Sequence, residues 1–312
     1  MIVKETKALR IAYGETLVEL GAQREDIVVL DADLAHATTT YLFGEKYKER
    51  FFNVGIAEQN MMGVAAGLAI TGFTPIASTF AIFGTGRAYE QVRNTICYPK
   101  LNVKLALTHS GVTVGEDGGS HQSIEDISLM RGIPNMTVIV PCDAIQMKKA
   151  LIAAVNMEGP VYLRVARPPS PVFTDENESF EIGKANVMKD GKDVAIFATG
   201  LMVYEALTAA EELAKQGIDA AVVNVHTIKP IDKDVIVSMA RKTKKIISVE
   251  EHSVIGGLGS AIAEVLSEEK PVKLKRIGVQ DLFGQSGTPD QLLEHYGLTS
   301  ANIMKTAKAM LK

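Results

Sequence analysis

Residues 52–69 read FNVGIAEQNMMGVAAGLA, and the fold follows from how that run is parsed. Phe51 to Val54 forms a short apolar strand, Gly55 turns the chain, and the Ala-, Gly- and Met-rich stretch from Ala57 to Ala69 has the length and composition of a helix packed into a core. Glu58 then falls in the first turn of that helix, a lone carboxylate among small and apolar side chains. The helix dipole alone favours an acidic residue there, so position does not separate a helix-start charge from a working group.

Working outward, the same strand-to-helix alternation runs along the chain. On the N-terminal side lie a helix from Leu9 to Leu20 and the apolar strand Ile27 to Leu30, ending in Asp31 and Asp33. On the C-terminal side come strands at Thr74 to Ala77, Val103 to Leu107, Thr137 to Val140 and Val161 to Val165, with helices between them at Thr85 to Ile96, Ile124 to Met130 and Asp143 to Val155. Short apolar strands alternating with helices imply parallel sheets buried on both faces. Between Ala166 and Gly183 the pattern breaks into a proline-containing polar run, after which alternation resumes from Val194 to Ile277, with two helical stretches closing the chain. The reading is two doubly wound three-layer α/β/α domains, residues 1–170 and 191–312, with a linker over 171–190.

Composition narrows the function classes. A chain of 312 residues with 46% hydrophobic content buries a large core, and a net charge of −4 with dispersed Lys and Arg argues against nucleic acid as the main partner. Cys97 and Cys142 lack any metal-ligand spacing and read as reduced thiols, so no metal site is expected in the chain itself. No window has the length and apolarity of a membrane span and no signal peptide is indicated, so a cytoplasmic protein is expected.

In open α/β sheets, ligands bind outside the carboxyl ends of the strands, which directs attention to the loops after Leu30, Val54, Ala77 and Leu107. They carry Asp31 and Asp33, then Glu58, then Thr79, Phe80 and Phe83, then His109, Asp117, His121 and Gln122. The last loop, THSGVTVGEDGGSHQSIED, is the most informative: two histidines and several acids in a glycine-rich segment whose backbone can approach a ligand closely. Taken singly, each histidine is more simply a solvated or structural group, and Phe80 and Phe83 more simply core.

The motifs GIAEQNM, STFAIF and THSGVTVGEDGGSHQ, in that order, resemble the pyrimidine-binding domain of transketolases, and HTIKPID, SVEEHSVIGGLGSAIAEVL and DLFGQSGTPDQLLEHYGL resemble the C-terminal domain of that family and of deoxyxylulose-phosphate synthases. The resemblance covers essentially the whole chain. It implies thiamine diphosphate as cofactor, with Glu58 bonded to the pyrimidine N1′ so that the 4′ amino group can act as base at the thiazolium C2 proton. An apolar setting would help Glu58 hold or share that proton. Phe80 and Phe83 would wall the pyrimidine, Phe83 as the stacking ring, with Asp33 near the pyrimidine and the subunit interface. By the same resemblance His109 and His121 would contact the sugar hydroxyls or a developing oxyanion, and Asp117 a hydroxyl. Arg10 and Arg167 would hold the sugar phosphate by guanidinium forks, with Arg164 the neighbour able to replace Arg167. Where transketolases often carry a phosphate-binding serine, this chain has Ala37 with Thr38 beside it.

Family members hold the diphosphate through Mg²⁺ on a GDG motif followed by Asn, and no GDG occurs here. The expectation is therefore the C-terminal subunit of a split transketolase, moving two-carbon ketol units between sugar phosphates. An N-terminal partner subunit would hold Mg²⁺ or another divalent cation, and the assembly would contain a homodimer of this chain within a heterotetramer. A deoxyxylulose-phosphate synthase-like or 2-oxoacid dehydrogenase β-subunit-like enzyme is the alternative, and a non-catalytic partner subunit a further one. The THSG around His109 favours the sugar donor.

Overall fold

A computed structural model describes Val3 and residues 5–312, and among these residues fourteen strands organise the fold. They are β1 (Glu5–Ala8), β2 (Ile27–Asp31), β3 (Phe51–Asn53), β4 (Thr74–Ser78), β5 (Lys104–Leu107), β6 (Thr137–Ile139), β7 (Val161–Arg164), β8 (Pro169–Val172), β9 (Asn186–Lys189), β10 (Val194–Ala198), β11 (Ala220–Asn224), β12 (Thr227–Lys229), β13 (Lys245–Ser253) and β14 (Lys273–Val279). The first sheet has the order β12-β6-β7-β5-β4-β2-β3, parallel except for β12 at its edge. The second, β14-β13-β10-β11-β9, is parallel except for β9. β1 and β8 pair antiparallel and bracket the first half of the chain.

Both sheets are buried for the reason their composition gives: β2, β4, β10 and β11 have no exposed residue, so neither face alternates polar with apolar. Helices Leu9–Gln23 and Ala144–Asn156 cover one face of the first sheet. Its other face shares one continuous core with the second half: Val28, Leu30 and Met61 belong to the same buried cluster as Phe197, Ile236 and Ile262.

Several elements depart from the sequence reading, among them β1, β8 and β9, which it did not place. The helix expected over Thr85 to Ile96 is drawn out into two wide turns, Phe83–Arg87 and Gln91–Cys97, in which Ala88 N–H reaches back to Phe83 O and Tyr98 N–H to Arg93 O. Such five-residue turns share the apolar spacing of an α-helix too closely to be told apart from sequence. HTIKP, to which the sequence reading assigned no element, contains β12, which adds to the first sheet and stitches the second half onto it. In the second half, β13 runs on from its apolar start to Ser253, carrying Glu250, Glu251 and His252 into the interior.

Candidate active site

In the first sheet, β2 leads outward to β3, whereas β4 and β5 lie on the other side of β2, so the loops after these strands diverge and leave a crevice at their carboxyl ends. Glu58 enters it from the first turn of helix Glu58–Ile70, whose N-cap, Ala57, has no side chain to offer. The carboxylate is buried but not in an apolar setting. Arg87 Nη1 lies 3.0 Å from both of its oxygens, and the Arg87 guanidinium also sits 4.5 Å from the centre of the Phe83 ring. The expectation of an apolar surround for Glu58 is thus corrected: the wide turn Phe83–Arg87 delivers a cation to it from 29 positions away.

The aromatic groups continue from that ion pair. Phe83 stacks near-parallel to Phe80 at 5.9 Å and meets His121 edge-on at 5.4 Å, and Phe80 stacks on His109 at 3.8 Å. Phe80 is itself tied to β5, since Ala81 N–H donates to Thr108 O. The Thr79 hydroxyl is buried with no partner. A flat heterocycle bearing hydrogen-bonding nitrogens could take these ring faces, the Glu58 oxygens and that hydroxyl together.

His109 is held in a left-handed conformation, φ 58°, which a non-glycine residue keeps only where its surroundings fix it. Its Nδ1 lies 2.9 Å from Thr108 Oγ1. Burial, and then the positive charges of Arg10 and Arg167 and the neighbouring His121, push its pKa down to about 3. His109 is therefore neutral near pH 7 and serves as a hydrogen-bonding group, not a cation. His121, half-buried, has Nδ1 3.0 Å from Ser120 Oγ.

Two guanidinium groups close the other end. Arg10 donates to Ala37 O at 3.1 Å and has a buried Nε without a partner, and Arg167 donates to Val114 O and lies 3.6 Å from Glu116. Arg10 and Arg167 are near enough for the charge of Arg167 to lower the pKa of Arg10, after the larger effect of burial. With its unsatisfied N–H, this pair is suited to an anion.

Other sequence candidates fall differently. Asp33 is exposed and accepts from Asn53 Nδ2 at 3.1 Å, on the rim and not against the rings. Asp117 is exposed at the end of the turn Val112–Asp117, with no hydrogen-bond partner among the described residues. Thr38 is taken by Asp31, its hydroxyl 2.7 Å from Oδ2, and so is not free to grip a ligand. Arg164 cannot replace Arg167: it is buried and locked on Asp126, Nε to Oδ2 at 2.6 Å, while Tyr162 donates to the same oxygen. Among the described residues no group of three or more His, Cys, Asp or Glu is placed to hold a metal ion, and no helix is long and apolar enough to cross a membrane.

Sequence reasoning missed Arg87 and the buried Glu250–Glu251–His252 run. For the latter a signal existed, since three ionisable residues extend an apolar strand without a break; for Arg87 nothing in the local sequence marks its partner.

Comparison with known proteins follows the same division. The family described as "Transketolase, pyrimidine binding domain" matches residues 5–171 and that described as "Transketolase, C-terminal domain" matches residues 183–303. A solved structure of a split gene transketolase, in an inactive β4 tetramer, is 52% identical, with a TM-score of 0.92 over 98% of each chain. A Methanocaldococcus jannaschii protein provisionally assigned as a transketolase C-terminal section is 50% identical over 98% of this chain and 97% of its own length. The 6-deoxy-6-sulfo-D-fructose transketolase subunit SqwH of Clostridium sp. strain MSTE9 is 46% identical over 96% of this chain and 93% of its own.

Proposed function

The chain belongs to the transketolase family, and from that premise we propose that it is the C-terminal subunit of a split, thiamine-diphosphate-dependent transketolase, with residues 1–170 and 191–312 as its working domains. It would transfer a two-carbon ketol unit between sugars with an anionic terminus, alongside a separate chain that holds the diphosphate through Mg²⁺ or another divalent cation. The observation that carries this reading is one continuous cluster: the buried Glu58 carboxylate, joined through Arg87 and Phe83 to Phe80, His121 and His109.

Thiamine diphosphate, when bound, supplies a nucleophilic thiazolium carbon and an electron sink. The residues of this chain do the rest. Glu58 would hold or share a proton at the pyrimidine N1′, and the Phe80 and Phe83 faces would orient the ring, with Arg87, which lies on Glu58 and over Phe83, giving way to it. Neutral His109 and half-buried His121 hydrogen-bond the sugar hydroxyls and the oxygen on which charge develops, and Asp117 completes the polar contacts at the loop. Hydroxyl-matched groups of this kind discriminate strongly, because an unpaired one is costly. Arg10 and Arg167 fix the anionic end, and the fork geometry suits a phosphate or a sulfonate alike. One relative is named as a C-terminal section and another as a subunit, which supports a partner chain, and the β4 tetramer of the similar solved structure supports an oligomer containing more than one copy of this chain.

The test is reconstitution. The purified chain with thiamine diphosphate and Mg²⁺ should show no ketol transfer until a GDG-bearing partner is added; activity of the rigorously purified chain alone would sink the split-subunit reading. A donor panel of sugar phosphates, a sulfosugar and pyruvate, run on the pair, separates ketol transfer from pyruvate-using chemistry.

A further inference from the structure

We infer that Glu251, on the second domain, is a positioning residue for the substrate loop: its side chain holds the 109–122 segment in the shape that presents His109 and His121. The inference rests on the function proposed above but concerns residues outside the cluster. The loop contains an irregular turn and four left-handed residues, His109, Gly111, Gly115 and Gly118, with φ between 58° and 85°. The segment lies outside the named strands and α-helices; local backbone bonds such as Gly111 N–H to Ser123 O and His121 N–H to Gly118 O shape part of it, and the backbone groups they leave over take partners from outside.

From the first half, Ser110 N–H donates to Val165 O and Arg167 to Val114 O; further contacts cross to the loop from the second half. Glu251, in β13 and 2% exposed, accepts Thr113 N–H on Oε1 at 2.6 Å. The loop is built around this carboxylate: a Cβ on Gly111 would run into Oε1 and Cδ. Glu251 is fixed in turn from the first domain, because Arg164, locked on Asp126, donates to its carbonyl at 2.9 Å. At the other end of the loop, buried Gln122 donates to Gly115 O at 3.0 Å and across the domain boundary to Gln285 O at 2.9 Å. Gly284 lies so close that a Cβ there would meet Gln122 Oε1.

A buried carboxylate is an expensive way to satisfy one N–H. Its second oxygen, Oε2, has no hydrogen-bond partner among the described residues, and burial pushes the pKa of Glu251 up, so a residue serving only to fill space would be more favourable if apolar. What Glu251 adds is a short, directional tether two to four residues from His109. Glu251 touches neither rings nor guanidinium groups of the site; its effect passes through the loop backbone.

The experiment uses the full chain, and then the reconstituted pair, as Glu251→Ala, Glu251→Gln and Gly111→Ala. In Glu251→Ala, kcat/KM for the sugar donor is expected to fall roughly 10- to 100-fold, as for displacement of a contact group by about an ångström, while thiamine diphosphate affinity stays within about twofold. Glu251→Gln, whose amide oxygen accepts the same N–H, should stay within about threefold of the parent. Independently of activity, the His109 imidazole of the full chain, followed by NMR, should titrate at least a unit above its depressed value near 3 in Glu251→Ala, as the loop opens to water. Gly111→Ala presses on the same contact from the loop side and should reproduce the split should Glu251→Ala not fold. Unchanged kcat/KM with unchanged His109 titration, or an equal loss of cofactor binding, would overturn the assignment. Were the wild-type pair to lack ketol transfer, the functional reading would fail, yet the His109 titration would still decide the role of Glu251.

Discussion

Glu58 and Arg87 form an ion pair with one buried and one half-exposed member, and the asymmetry sets what each substitution should do. The guanidinium is 51% exposed, so losing the pair costs little stability, of the order of an exposed bridge at about 0–1 kcal/mol. In the reconstituted enzyme Glu58→Gln should nevertheless lower kcat by roughly 10²- to 10⁴-fold, the range for lost acid–base assistance, with the thermal midpoint little changed. Near-normal turnover at saturating cofactor would remove Glu58 from the chemistry. The anion grip invites a separate comparison: Arg10→Ala should raise KM for phosphorylated donors by roughly 10- to 100-fold, as for a lost charged hydrogen bond, and leave KM for a non-ionic ketose unchanged. A uniform rise across both donors would assign Arg10 to packing. At this scale the sequence was informative where residue type and strand-end position coincide, as with His109, Phe80 and Phe83. It was silent on Arg87, whose partner lies 29 positions away, and ambiguous between Arg164 and Arg167. Those two are only three positions apart, yet one points into the domain boundary and the other toward the loop.

Caps and turns show what periodicity resolves and what it does not. Helix Ala144–Asn156 begins where its pattern begins because Asp143 caps it, accepting Gln146 N–H at 2.9 Å. The same buried carboxylate also accepts from Phe173 N, Thr174 N and Thr174 Oγ1, so it pins the start of the linker to the first domain. Asp143→Ala removes a cap worth about 1 kcal/mol and strands two further backbone N–H groups, for a loss of about 3 kcal/mol or more. A urea midpoint series should show it, with Asp143→Asn recovering part; a loss no larger than a simple cap would mean that the linker finds other acceptors. The irregular turns Phe83–Arg87 and Gln91–Cys97 lay beyond what side-chain spacing encodes, since a helix and a widened helix bury the same apolar positions over so short a run. β12 was equally hidden, because three residues give no alternation to read and their partner strand, β6, lies about 90 positions back.

Across the whole molecule, the buried ionisable groups make stability depend on pH, and the sign can be worked out. Burial first of all lowers the pKa of His109 to about 3 and of His226 and His252 to about 4. Unfolded, each would titrate near 6.5, so as pH falls below that value the unfolded chain takes up protons the folded chain refuses, and stability is lost. Glu250 acts in the opposite sense. Burial raises its pKa to about 7 against the backbone N–H groups of Leu258 and Gly259, so its contribution is fully present below an unfolded value near 4.5 and fades as pH rises through 7. Between pH 6.5 and 4.5 the three histidines outweigh Glu250, while Glu251 and Asp31, whose pKa values burial also raises, offset part of that excess, so the net effect is a loss of stability as pH falls. Below 4.5 Glu250 no longer opposes them, and Asp26, held down to about 2 by its hydrogen bonds from Arg24, adds to the loss. The urea midpoint should therefore fall from pH 6.5 to 4.5 and fall further below it. His226 offers the check, because it lies in neither the catalytic cluster nor the Glu251 tether and packs on Phe180 with ring centres 4.2 Å apart. His226→Phe should keep that packing and flatten the slope by about one proton, whereas an unaltered slope would show that the histidines do not set the acid limit.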